Sequence, residues 1–328
     1  MKKEVNLNQL SLDKIGVHVD LKFLAGLLKS AAGEKPENNL IFAKKLGLSI
    51  NSDLGKAISI KNWKYGTRTV PLEKLIKISR IAKCPWSSVQ SNIKSLGCER
   101  GCVFPALPIK IGYQLGSVIG HILGDGSIDS RYNQVFFSNS NKDLLYEFEK
   151  NMKDIFGIEP RIWMQERPSF GHTKWEKRLR FIDELEAGKN CGLFYPSVCG
   201  KILNGIFGNF SIGNNKKITN EISNSNKEFK KGLIRAFYDD ECSVGKKNIR
   251  LFQDRKDILE FFREMLLHFR IQTSEVKSYI KREKVHYYFD IFRKSNFKNF
   301  KNEIGFTSLV KMKKLNILCL IKNSKNAK

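Results

Sequence analysis

The sequence contains no run of about 18 apolar residues, which excludes a membrane-spanning helix of ordinary length. Its opening, MKKEVNLNQL, lacks the apolar segment of a secretion signal, so the expectation is a protein that is not secreted and works in the cytoplasm, at the nucleoid. Acidic residues are scarce: 33 Asp and Glu stand against 58 Lys and Arg, leaving a formal charge of +25. An excess that large points to a polyanionic partner, nucleic acid first and an anionic membrane surface second. The seven cysteines are odd in number and scattered, which is not the pattern of a disulfide framework. Cys98 and Cys102 (CERGC), with Cys84 upstream, cluster locally, but no fourth ligand stands at zinc spacing. Hydrophobic residues make up 41% of the 328, enough to exclude a wholly disordered chain and to build two or three domains.

What the sequence does contain is a repeat. GSVIGHILGDGSI begins at Gly116, and GLIRAFYDDECSV begins 116 residues later at Gly232. Gly116, Gly120 and Gly124 recur every fourth residue in the first copy, and Gly232 and Ala236 hold the corresponding places in the second. Small residues at i and i+4 share one helix face and let another helix come close. The acids are in register as well: Asp125 matches Glu241, and Asp240 stands opposite Gly124. NKDLLYEFEKNMKDIFGIEP, from Asn141, and RKDILEFFREMLLHFRIQTS, from Arg255, both carry the period of an amphipathic helix. Each follows a short hairpin-like stretch, QVFFSNS or NIRLFQD. KILNGIFGN and FKNFKNEIGF follow later, each apolar-periodic and running to a glycine.

These residues resemble the two signature motifs of LAGLIDADG homing endonucleases, in the form that joins both halves in one chain. The resemblance covers about two-thirds of the protein, from residue 111 to the C-terminus. It implies an α+β fold of two pseudo-symmetric αββαββα-type halves, 111–222 and 223–328, each with a curved antiparallel sheet that lies on DNA. It also implies that the motif helices pack side by side along a pseudo-twofold axis through Gly116, Gly120, Gly232 and Ala236. Asp125 and Glu241 then meet at their lower ends as the catalytic and metal-binding acids, with Gly124 and Asp240 beside them. The implied metal is Mg²⁺ or Mn²⁺, a hard cation that bridges carboxylate and phosphate oxygens. Two departures from the motif stand in the second copy: Cys242 where Gly is usual, opposite Gly126, and Asp240 where a small residue is usual. If the backbone at Cys242 needed a positive φ, cysteine would fit poorly there.

The family resemblance further implies a lysine near each acid. GNFSIGNNKKI points to Lys216 or Lys217, and IGFTSLVKMKKL points to Lys311. Alternation in the strands selects Arg161, Trp163 and Gln165, then Arg178, Arg180 and Ile182, in the first half. In the second half it puts Lys277, Tyr279 and Lys281 on one face, and Val285, Tyr287, Phe289 and Ile291 form one face of the next strand. Arg, Lys and Gln on such ribbons reach base edges and phosphates.

Residues 1–95 do not repeat this unit. Leu46-Gly47, Trp63, Gly66-Thr67-Arg68 and Pro71-Leu72-Glu73 resemble the landmarks of a Cro-repressor type helix-turn-helix domain, although INSDLGKA lengthens the stretch before Trp63. The resemblance implies an all-α DNA-binding domain with Lys56, Lys61, Lys64 and Arg68 at the groove. CERGCVFPALPIK, with Pro105 and Pro108, reads as a linker over 96–110. The leading expectation is a monomeric, site-specific endonuclease that cuts both strands of a long asymmetric DNA site. A non-cleaving DNA-binding regulator and an RNA-binding maturase on the same scaffold are the alternatives.

Overall fold

In the computed structural model, residues 3–10, 12, 15–33, 36–48, 58–98, 101–165, 175–212, 215–281 and 283–320 are described. The N-terminal region runs β1 (Glu4–Val5), β2 (Gly16–Val19), α1 (Leu21–Ala32), α2 (Pro36–Lys45), α3 (Ile58–Lys64), β3 (Val70–Pro71), α4 (Leu72–Ile81), α5 (Trp86–Ser91), β4 (Ile93–Cys98), β5 (Gly101–Val103) and β6 (Ile109–Lys110). Helix α1 starts at Asp20, whose carboxylate accepts from the N–H groups of Lys22 and Phe23 at 3.1 Å each. Trp63, Leu72, Leu75 and Ile78 are all buried in the core.

The expectation of an all-α N-terminal region is corrected. Antiparallel strands pair in the order β3-β2-β4-β5, and β6 returns to pair with β1. The stretch 96–110, read as a linker, therefore supplies strands to two sheets. Strands of two to six residues are too short to display a clear alternation, and Gly97 and Gly101 interrupt what there is. This sheet leans on the next unit: a Cβ on Gly101 would meet Pro196 Cγ at 3.1 Å. The N–H of Phe104 donates to the carbonyl of Phe156 at 2.8 Å.

The chain continues through α6 (Tyr113–Leu123), β7 (Gly126–Ile128), β8 (Val135–Asn139), α7 (Lys142–Phe156), β9 (Arg161–Gln165), β10 (Trp175–Leu179), β11 (Asn190–Tyr195) and α8 (Ser197–Phe207). Short elements β12 (Ser211–Ile212), β13 (Asn215–Lys216) and α9 (Asn220–Ser223) then lead to α10 (Lys227–Glu241). After it come β14 (Cys242–Val244), β15 (Ile249–Gln253), α11 (Lys256–Leu267), β16 (Lys277–Lys281), β17 (Lys284–Ile291), α12 (Lys294–Glu303) and α13 (Leu309–Leu320). Two antiparallel sheets result, β10-β9-β11-β8-β7 and β14-β15-β17-β16. The first departs from the expected ββαββ order by one further strand, formed within the residues from Trp163 to Asn190. Each sheet turns one face to the core, through Val135, Phe137 and Leu193 in the first and Ile249, Leu251, Phe289 and Ile291 in the second.

Helices α6 and α10 touch backbone to backbone. A Cβ on Gly116 would stand 2.0 Å from the carbonyl oxygen of Phe229, and one on Gly232 would stand 2.1 Å from that of Tyr113. At Gly120 the same atom would meet the Leu233 carbonyl at 2.5 Å and the Ala236 Cβ at 2.8 Å. None of these neighbours can rotate away, so Gly116→Ala is expected to destabilise by roughly 3 kcal/mol. A thermal melt checks it, with an expected fall of about 6 °C or more. An unchanged melt would mean that the helices separate freely.

Candidate active site

The close crossing of α6 and α10 carries two carboxylates to the same end of the helix pair. Gly124 closes α6 and Asp125 follows it; Glu241 is the last residue of α10. Asn139 of β8 donates to Asp125 Oδ2 at 2.9 Å. Burial pushes the Glu241 carboxyl up to about 7, with the negative charges of Asp125 and Asp240 adding to it and Lys216 opposing. Asp125 reaches solvent, yet the surrounding protein still lifts its pKa by desolvation, against the pull of Lys216, His121 and Lys311. Two carboxyls that resist ionising side by side mark a place where positive charge is wanted.

A lysine lies at the carboxyl end of each helix. Lys216 Nζ donates to the carbonyl oxygen of Gly124, and burial depresses its pKa. Lys311 Nζ donates to the carbonyls of Asp239 and Tyr238, at 2.6 and 3.3 Å. A cation there also answers the negative end of the helix dipole. Of the two lysines named for the first half, Lys216 is the one at the site; Lys217 is exposed, with its N–H on the carbonyl of Phe210 at 2.9 Å.

Asp240 is not free to join the acids, which corrects its expected role as a metal ligand. Its side chain is fully buried and its oxygens lie 3.0 and 3.2 Å from His121 Nδ1, in the seam between the helices. A Cβ on Gly124 would meet Asp240 Oδ2 at 2.5 Å, so the glycine makes room for this carboxylate. On its other side, His121 Nε2 stands 3.8 Å from Glu147 Oε2 of α7. Glu147 also accepts from the Ser117 hydroxyl at 3.2 Å and from the Thr307 hydroxyl. Burial opposes a charged imidazole, but Asp240 and Glu147 outweigh it and raise His121 to about 10. Burial likewise opposes the Glu147 carboxylate, and His121, Thr307 and Arg235 overcome it, taking that group down to about 2. Sequence reasoning missed this buried triad. Gly124 is also engaged, its carbonyl holding Lys216, which leaves Asp125 and Glu241 as the set open to a cation. Among the described residues no cluster of three or more His, Cys, Asp or Glu forms a metal cage. Two carboxylates of raised pKa suit a hard divalent ion that keeps most of its own waters.

Cys242 sits comfortably at the start of β14, at φ −102° and ψ 156°, so the feared need for a positive φ does not arise.

The outward faces of the sheets hold most of the residues picked for polyanion contact. Arg161 and Arg178 are exposed, with Arg178 paired across from Trp163. Arg180 is exposed one residue beyond β10, and Ile182 is buried in a 3-10 turn rather than in a strand. Gln165 is a correction: it is only 7% exposed, at the end of β9 between Trp175 and Asn190 on the flanking strands. In the second sheet Lys277 and Lys281 are exposed, and Tyr279 stacks on His286 with centroids 5.3 Å apart. Arg250 grips Asp290 at 2.8 and 2.9 Å and lies 4.2 Å from the Tyr288 ring centre. In the N-terminal region Lys61, Lys64 and Arg68 are exposed, whereas Lys56 and the rest of INSDLGKA lie outside the described residues.

A family model described as a LAGLIDADG-like domain matches the chain twice, over residues 112–189 and 228–305. The two matched segments together span just under half of the chain. The first contains α6 and Asp125, the second α10 from its second residue and Glu241. A replication factor C small subunit of Methanocaldococcus jannaschii is 25% identical over 207 residues, which are 62% of this chain and 10% of that protein. A DNA-directed RNA polymerase subunit Rpo1C of the same organism is 27% identical over 173 residues, 52% of this chain and 17% of that protein. The chain thus spans less than a fifth of the length of these curated relatives. Among solved structures, the homing endonuclease I-DmoI in complex with DNA and Mn shares 14% identity at a TM-score of 0.41, covering 60% of this chain and 97% of that one. Full-length DUF199/WhiA from Thermatoga maritima shares 12% at a TM-score of 0.39, covering 64% and 60%.

Proposed function

We propose that this chain is a site-specific endonuclease for double-stranded DNA that hydrolyses one phosphodiester on each strand with the aid of Mg²⁺ or Mn²⁺. The observation that carries the reading is the pairing of Asp125 with Glu241 at the joined ends of α6 and α10, each carboxyl lifted above its ordinary range. A divalent cation held there supplies an activated water and charge stabilisation for the leaving oxygen. Asp125 and Glu241 hold and orient, one from each LAGLIDADG-like domain, which matches one cut per strand. Lys216 and Lys311 place positive charge at the two helix ends, where the charge building on a phosphoryl group has to be met. Arg161, Arg178, Arg180, Lys277, Tyr279 and Lys281 face the duplex from the sheets. Lys61, Lys64 and Arg68 extend the contact from the N-terminal region. Both acids lie in one chain, so a monomer suffices, acting in the cytoplasm at the nucleoid.

The test is cleavage of a plasmid library carrying randomised inserts, with Mg²⁺ present. Linear product enriched for one sequence supports the reading. Binding without cutting of any insert removes it and leaves a DNA-binding regulator.

A further inference from the structure

Neither lysine at the helix ends is held by its own segment alone. Lys216 belongs to β13, whose pairing with β12 is a ladder of two residues on each side, Ser211 with Lys216 and Ile212 with Asn215. So short a ladder has little stability by itself. Outside the ladder, the Ile128 N–H and Asn204 Nδ2 hold Ser211 from the first half at 3.3 Å each, and Lys216 itself is held from the second LAGLIDADG-like domain, where Arg255 Nη1 donates to its carbonyl. The rest of that guanidinium is fixed by Asp257, through Nε at 3.0 Å and Nη2 at 2.5 Å. Arginine's planar fork then dictates where its remaining N–H groups point.

The segment bearing Lys311 is supported in the opposite direction, from α7 of the first domain. Asp143 Oδ2 accepts from the N–H of Leu309 at 2.9 Å, and Asn141 Nδ2 donates to the Ser308 hydroxyl at 3.0 Å. The Thr307 hydroxyl donates to Glu147. Ser308 Oγ in turn accepts from the N–H of Lys311 at 3.4 Å.

We propose that Arg255, oriented by Asp257, is a positioning residue for Lys216, and that Asn141 and Asp143 position Lys311, so that each domain braces the lysine associated with the other. The link to strand cutting rests on the nuclease reading; the bracing itself does not. If Lys216 leaves the Gly124 carbonyl, its charge no longer sits beside Asp125, whereas Lys311 keeps its place over Asp239.

Acylation of the full-length chain by N-hydroxysuccinimidyl acetate, read peptide by peptide by mass spectrometry, tests the bracing without DNA or metal. Arg255→Met is expected to raise labelling of Lys216 about tenfold, the yield of one lost charge-assisted hydrogen bond. Lys311 stays within about twofold. Asp257→Asn, which leaves the arginine in place but unoriented, raises Lys216 in the same direction. Asn141→Ala with Asp143→Asn reverses the pattern and exposes Lys311. Equal changes at both lysines, or none at Lys216, overturn the proposal, the former by showing a general loosening of the chain. On a plasmid that the wild type cuts, Arg255→Met and the Asn141/Asp143 variant should accumulate nicked circles, with opposite strands left intact. Equal slowing of both strands counts against a positioning role. If the wild type cuts no plasmid while the labelling pattern holds, the nuclease reading falls and the bracing stands.

Discussion

Asp125→Asn and Glu241→Gln are each expected to lower double-strand cleavage by roughly 10²–10⁴-fold, because each carboxylate would hold the cation that activates the attacking water. DNA affinity in the presence of Ca²⁺ should change little, since both substitutions keep the shape of the side chain and the sheets are untouched. The same substitutions carry a second, opposite consequence. Glu241 is held at about 7 by burial and by the charges of Asp125 and Asp240, well above an ordinary carboxylate. The sign follows from that shift: its contribution to stability is complete below the unfolded value of 4.5 and is lost as the pH rises through 7. Glu241→Gln should therefore melt higher than the wild type near pH 8 and alike near pH 4. An inactive variant that is also more stable identifies a carboxylate kept for chemistry at a cost to the fold. A lower melt near pH 8 would instead make Glu241 a structural residue, and the proposed active site would have to be abandoned.

His121→Leu is the second large effect. It leaves the Asp240 carboxylate, fully buried, without its cationic partner and strips Glu147 of the same support. Breaking a buried ion pair from one side costs about 3–5 kcal/mol. The double variant His121→Leu with Asp240→Ala removes the stranded charge as well and should recover much of the loss, a non-additivity read by urea denaturation of the two singles and the double. Additive losses would show that the histidine matters for its volume rather than its charge. In the wild type, His121 stays charged up to about 10, above its ordinary 6.5, so its contribution is full below pH 6.5 and disappears as the pH climbs to 10. Glu147 behaves in mirror fashion: its contribution is present above 4.5 and fails as the pH falls to about 2.

The helix faces and the acids were legible in the sequence because a repeat at fixed distance supplies its own check: Gly116 against Gly232, Asp125 against Glu241. The His121–Asp240 pair was not, although its signal is present. Asp240 stands where the other copy has Gly124, and such a carboxylate in a close-packed seam needs a cation within reach. His121, one turn before Gly124 and flanked by Gly120 and Ile122, reads locally as part of an apolar helix; only the crossing of two helices brings it to Asp240. The N-terminal strands were illegible for a different reason. Gly16–Val19 gains its identity from partners far along the chain, Gly101–Val103 is only three residues long, and the prolines at 105 and 108 looked like punctuation of a free linker. Gln165 shows the limit of alternation, which tells which face a residue shares but not whether neighbouring strands cover it.

The N-terminal sheet rests on the unit that follows it, with Gly101 against Pro196 just before α8 and the Phe104 N–H on Phe156 at the end of α7. This gives the molecule a head and a tail. A body of two similar domains could settle on a near-palindromic duplex in either orientation, exchanging which acid meets which strand. Under the proposed reading, a basic region fixed beside that unit makes those orientations unequal in energy, because it would grip DNA in one and overhang a different flank in the other. Direction along the duplex would then be a property of the chain itself, set before any base is read.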